Sequence, residues 1–217
     1  MRKTTTEDAG TKGAGKPFSK GAEAELFPDS WYGRKALLKV RKRKEYRHPV
    51  LDLNLRGRRA RREAKVLRVA RAAGVKCPEL FFEDEKNFSL TIEFLNGNLL
   101  SRVGKISQEH AREAGAQLAK LHSAGIAHGD YSASNLLATP NGICVIDFGL
   151  AEFTSNVEEL AGDVLLFEKS LQTQSLGNAG ELVAEFRKAY SRNFPRSKEV
   201  FSRVRRIAAR ARYRPKA

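Results

Sequence analysis

His128-Gly129-Asp130-Tyr131-Ser132-Ala133-Ser134-Asn135, followed twelve residues after the asparagine by Asp147-Phe148-Gly149, is the stretch on which the reading of the fold turns. Phosphoryl transfer asks few groups of a protein: something must orient the acceptor hydroxyl or water, and something must hold magnesium on the nucleotide phosphates while charge redistributes. Asp130 is placed to accept or orient the attacking proton, Asn135 stands five residues on as a metal ligand, and Asp147 offers magnesium a hard carboxylate. Asp147 also follows an apolar run, Ile143 to Ile146, that reads as a strand. Asp-Phe-Gly alone is a weak signal. Joined to D-x-x-x-x-N at this separation, with a strand between, it is a specific one.

Upstream, partners for such a site appear in the required order. Lys39 lies in the apolar strand Lys35 to Val40, and Glu63 lies inside the following helix, where it is the only acid between Asp52 and Glu79. A lysine on the α- and β-phosphates needs a helix glutamate to fix it, because a flexible ammonium on its own is poorly positioned. Lys35, Lys42 and Lys44 are competing choices, and strand context favours Lys39. Gly21-Ala22-Glu23 is the candidate turn over the nucleotide, with a single glycine to let backbone approach a phosphate. Glu93 and Leu95, flanking Phe94, fall where a connector between lobes would meet adenine, although plain core-strand residues would look the same.

Around these residues the pattern is strands first and helices later. Phe18 to Phe27 and Lys35 to Val40 read as strands about a turn at Pro28 to Gly33. A helix is predicted over Leu55 to Ala72, then a hairpin of Leu80 to Glu83 with Phe88 to Phe94, and a break at Asn96-Gly97. Ser107 caps a predicted helix that ends at Gly125, and further helices are predicted over 157–170, 181–191 and 199–212. The expected fold is α+β and bilobal: a tail over 1–17, a small β-rich lobe over 18–95, a helical lobe over 96–202 and a basic tail over 203–217.

Charge is unevenly distributed. The 217 residues carry a formal net charge of +15. Sixteen Lys and Arg face three acids between Arg34 and Arg71, and six Arg and one Lys face none from Arg203 onward. Clustered Lys and Arg are the footprint of phosphate contacts, so segments 34–71 and 203–217 are candidate nucleic-acid surfaces; the alternative is a solvated, charge-rich helix face. No apolar run approaches the roughly 18 residues of a membrane span, and the basic N-terminus lacks the apolar stretch of a secretory signal. Cys77 and Cys144 sit in apolar contexts that favour reduced, buried thiols, which points to the cytoplasm.

Lys39-x-Arg41-x-x-Lys44-x-Tyr46-Arg47-His48-Pro49-x-Leu51-Asp52, Arg59-x-x-x-Glu63-Ala64, Gly74-Val75 and Pro78 go beyond a generic site. With them, the chain from about Gly21 onward resembles the small atypical serine/threonine kinase subunit of the KEOPS complex, the PRPK family; ordinary kinases lack the Tyr-Arg-His-Pro block. The resemblance implies a bilobal kinase-like fold, binding of ATP and Mg2+, autophosphorylation or ATP hydrolysis, and work beside a threonylcarbamoyltransferase subunit and other KEOPS subunits. It also implies a part in forming threonylcarbamoyladenosine in tRNA, with the basic C-terminal end, Arg203 to Lys216, reaching toward that RNA.

Two features fit this. Glycine stands where an arginine before Asp130 would receive an activation-loop phosphate, and only Leu150 to Gly162 separate Gly149 from Asp163, too few for a long activation segment. Asp163 is the expected buried brace of the catalytic loop. Two rivals remain: a small-molecule phosphotransferase of the aminoglycoside or choline type, which also uses an HGD-x-x-x-x-N loop, and a non-catalytic tRNA-binding scaffold. The Tyr46 to Pro49 block argues against the first, and the intact set Lys39, Glu63, Asp130, Asn135 and Asp147 against the second.

Overall fold

Two residues apart on a strand means one face of the sheet, and that rule sets the geometry of the first lobe. The computed structural model describes residues 17–20, 24–175 and 177–212. Strands β1 (Ser19–Lys20), β2 (Ala24–Trp31), β3 (Arg34–Arg41), β4 (Leu80–Asp84) and β5 (Ser89–Glu93) form an antiparallel sheet in the order β1-β2-β3-β5-β4. Ala36, Lys39 and Arg41 on β3 are buried. The turn between β2 and β3 is Tyr32-Gly33 alone, both with positive φ. It is tighter than the predicted Pro28 to Gly33. Pro28 lies within β2, beyond the last residue paired with β1, where a missing N–H costs the sheet nothing on that side.

Helix α1 (Pro49–Ala72) starts six residues before the predicted Leu55, with Pro49 in its first turn and Arg71 in its last. Its buried face carries Ala60, Glu63, Ala64, Leu67 and Ala70 at three- and four-residue steps, so Glu63 enters the interior with the apolar stripe.

The second lobe is helical. It holds α2 (Gln108–Ser123), α3 (Val157–Gln174), α4 (Ala179–Asn193) and α5 (Ser197–Arg212), with two small sheets beside them. One orders β6 (Asn98–Leu99), β8 (Leu136–Thr139) and β9 (Gly142–Val145); the other pairs β7 (Ile126–Ala127) with β10 (Glu152–Phe153). Ser107 caps α2 as predicted, accepting the N–H of His110 while the His110 ring accepts the N–H of Ser107. Helix α5 runs through position 203 to Arg212, and Val204 is buried. Residues 213–217 of the basic end lie outside the described part.

Tyr131, Phe167, Phe186 and Tyr190 chain ring to ring through the core, and the Tyr131 hydroxyl donates to the Ala114 carbonyl at 2.7 Å. Helices α2 and α4 approach so closely at Gly115 that a Cβ there would lie 2.3 Å from the Phe186 carbonyl oxygen. Gly115→Ala must therefore push two helices apart and is expected to destabilise the fold by about 1–3 kcal/mol, read as a lowered urea midpoint. Cys77 and Cys144 are free and buried. Burial pushes the Cys77 thiol up to about 12 and also raises Cys144. At pH 8 the Cys77 thiol is then held in its unreactive neutral form. Iodoacetamide at that pH is expected to modify neither cysteine until the protein is unfolded, as an intact-mass measurement would show.

Candidate active site

The sheet and α1 bring Lys39 and Glu63 together although 24 residues separate them: Lys39 Nζ donates to Glu63 Oε1 at 2.5 Å. On its other side Lys39 Nζ reaches Asp147 Oδ1 at 2.7 Å. Burial alone would lower the pKa of Lys39, but Glu63 and Asp147 outweigh it and hold the ammonium above its ordinary value. Arg41, on the same face of β3, donates to Glu63 Oε2. One buried carboxylate thus serves two buried cations. Arg41 is not among the residues expected in the site, although its two-residue spacing from Lys39 puts it on the same strand face.

Asp147 follows β9 by way of Ile146, whose N–H donates to the Asn135 carbonyl at 3.0 Å. It has φ 60°, a left-handed conformation uncommon away from glycine, and its side chain accepts the Gly149 N–H at 3.3 Å to start a short 3-10 turn over Phe148–Leu150. Strained backbone of this kind costs on the order of 1–3 kcal/mol and persists where its surroundings over-determine it. Partial desolvation by its neighbours would raise the pKa of the half-exposed Asp147, yet the Lys39 charge and hydrogen bond bring it below the usual carboxylate value.

Asp130 and Asn135 are joined directly. Asn135 Nδ2 donates to both the Asp130 carbonyl and Asp130 Oδ2, each at 2.8 Å. The loop that carries them is braced from α3: Asp163 Oδ2 accepts the His128 N–H at 2.7 Å, and Asp163 Oδ1 accepts the Gly129 N–H at 2.9 Å. His128 is fully buried, with Nε2 3.1 Å from the Ile146 carbonyl, and burial lowers its pKa. As a donor to that carbonyl, the ring links the loop to the strand before Asp147. Gly129 has φ 77°, and a Cβ there would stand 2.8 Å from the Leu150 carbonyl oxygen. Backbone and space at this position therefore both disfavour an arginine before Asp130.

Among the other predicted residues, Gly21, Ala22 and Glu23 lie outside the described residues. The Glu93 carboxylate is held by Arg71 at 3.5 Å and Arg34 at 3.7 Å and accepts the Glu79 N–H, so its side chain does not join the Lys39 cluster. Leu95 is half-buried just after β5. No cluster of three or more His, Cys, Asp or Glu among the described residues is arranged to hold a metal. Magnesium on a nucleotide needs only one or two protein ligands besides the phosphates, and Asp147 with Asn135 is a donor set of that kind.

A sheet-borne lysine tied to a helix glutamate and to Asp147, with a braced Asp-Asn loop, is the arrangement of a protein kinase, and the family profile described as the protein kinase domain matches residues 29–175. The KEOPS complex subunit Bud32 of Pyrococcus abyssi is 34% identical over 215 residues, covering 93% of this chain and 98% of that protein. The chain belongs to the Bud32 family of atypical kinases. A probable bifunctional tRNA threonylcarbamoyladenosine biosynthesis protein of Methanothermobacter thermautotrophicus is 34% identical over 196 residues. The match covers 90% of this chain, and the chain spans 36% of the length of that relative. Among solved structures, the Rio2 kinase of Chaetomium thermophilum in an ADP/Mg2+-phosphoaspartate complex superposes with a TM-score of 0.65 at 13% identity, covering 92% of this chain and 71% of that one. That likeness concerns the fold: a bilobal α+β kinase with a β-rich first lobe and a helical second lobe.

Proposed function

We propose that this chain binds MgATP and transfers or hydrolyses its terminal phosphate as the kinase/ATPase subunit of a KEOPS complex, in support of threonylcarbamoyladenosine formation in tRNA. The observation that carries the reading is the buried Lys39–Glu63 pair bonded to Asp147, together with the Asn135-clamped Asp130. Lys39 is the ligand for the nucleotide phosphates and Glu63 fixes its ammonium. Asp130 orients the acceptor, water or a protein hydroxyl, and receives its proton at the carboxylate; Asn135 keeps that carboxylate aimed. Asn135 and Asp147 are the residues that would hold magnesium, which when bound neutralises charge on the phosphates. Gly21 to Glu23 and the backbone of Glu93 to Leu95 are assigned to the nucleotide's phosphates and base.

The partners assigned are a threonylcarbamoyltransferase and other KEOPS subunits. tRNA is assigned to segments 34–71 and 203–217. No described helix is long and apolar enough to cross a membrane, and the cytoplasm is the compartment proposed. The test is phosphate release from MgATP with the purified transferase subunit and tRNA added in turn. A rate that rises with both supports a tRNA-coupled ATPase. Turnover that responds to neither, and only to a hydroxyl-bearing metabolite, would replace this reading with a small-molecule phosphotransferase.

A further inference from the structure

Beside the cleft, between the β3–α1 connection and the first turns of α1, is a recess lined by Arg41, Lys42, Lys44, Arg47, Arg56 and Arg59. Every lining residue is cationic. Between positions 41 and 62 the chain carries ten Lys and Arg and only two acids, Glu45 and Asp52. Adding Glu25, which faces Lys42, and Glu63, which faces Arg41, still leaves more than two cations for each carboxylate.

The wall is fixed from behind. Asp52, 1% exposed, holds Arg56 at 2.7 Å and faces Arg47 at 3.8 Å, and it accepts the Lys44 backbone N–H at 3.2 Å. The Arg56 guanidinium lies 4.9 Å over the Phe88 ring, and Arg41 is held by Glu63. Like charges gathered around one recess repel and destabilise the compact state, and a bound anion relieves that repulsion. Guanidinium groups held in place beforehand also lose less freedom when they grip a phosphate.

We propose that the mouth of this recess, whose interior has room for little more than a water molecule, is a phosphate-binding site distinct from the nucleotide cleft, taking a backbone phosphate of RNA or a free phosphate anion. In its RNA form the proposal rests on the reading that segment 34–71 meets tRNA, and it narrows that surface to one pocket. Arg41 forms the shared wall, so the guest lies one side chain away from the Lys39–Glu63 pair.

The test compares the wild type with Lys44→Gln/Arg47→Gln, two half-buried lining residues outside the catalytic cluster. The control is Arg112→Gln/Lys188→Gln, which removes equal charge from the second lobe, outside segments 34–71 and 203–217, where both cations face Glu185. MgADP at saturation keeps the nucleotide cleft filled. If MgADP does not bind, the cleft is no competitor and the arms run without it, so failure of the catalytic reading is seen separately. One arm measures tRNA binding by fluorescence anisotropy over a range of salt concentrations. The other measures inorganic phosphate binding by calorimetry.

The recess variant is expected to lower the slope of log Kobs against log salt by about one in the RNA arm, or to lose phosphate binding in the other, while the control keeps both. The arm that responds identifies the source of the phosphate. Equal behaviour of the two variants, or no change in either arm, overturns the proposal. Thermal melts check that both variants fold, and Lys42→Gln replaces Arg47→Gln if loss of the Asp52 contact costs the fold.

Discussion

Glu63→Gln is expected to destabilise the protein by about 3–5 kcal/mol and to abolish ATP turnover, because it removes the carboxylate shared by two buried cations. Lys39 and Arg41 are 7% and 5% exposed, so water cannot make up the loss. Lys39 keeps Asp147 as a partner, but that pairing turns the ammonium toward the residue assigned to magnesium and away from the phosphates. Urea unfolding reads the first effect and phosphate release the second. A variant as stable as the wild type would mean that the buried cluster is not what holds β3 against α1.

Asp147→Asn is expected to separate the two readouts. The Asp147 side chain is 56% exposed, so solvent screens its ion pair with Lys39, and the stability change is expected to stay within about 1 kcal/mol. Its depressed pKa sets the sign of the pH effect. The contribution is present above the unfolded value of 3.8 and lost as pH falls through the lower folded one. Turnover should nonetheless fall on the order of a hundredfold or more, since a neutral amide is a poor magnesium ligand and several kcal/mol of charge stabilisation go with the metal. A stable variant that still supports tRNA modification without phosphate release would favour the scaffold reading, and one with unchanged phosphate release would remove Asp147 from the magnesium site.

The second lobe was legible because its signals are local. Ser107 before an amphipathic run and Gly125 after it bracket α2 in the sequence as in the structure. Helix α1 was less so. Val50, Leu51 and Leu53 are exposed, so its first turns have no apolar period, and only Pro49 marks the start. Pro28 misled in the opposite sense: a turn residue by composition, it is tolerated inside β2 because pairing with β1 has already ended.

For the site, residue types and spacing named Lys39, Glu63, Asp130, Asn135 and Asp147, and the fold brings Lys39, Glu63 and Asp147 into direct contact and separately joins Asp130 to Asn135. What spacing could not supply was the sharing of Glu63 with Arg41, which depends on how α1 lies against β3. Nor could it supply the left-handed backbone of Asp147 or the close approach of Leu150 to Gly129, since both are tertiary constraints.

The most direct test is phosphate release from MgATP by the wild type and Asp130→Ala at equal concentration, in the presence of the transferase subunit and tRNA, with folding checked by circular dichroism. Among the described residues the Asp130 carboxylate hydrogen-bonds Asn135 alone, and the bond from its backbone N–H to His128 survives the substitution, so the variant should fold. The account predicts a loss of about 10²–10⁴-fold, the range carried by a positioned acid or base. An Asp130→Ala protein that is folded and releases phosphate at the wild-type rate would contradict it.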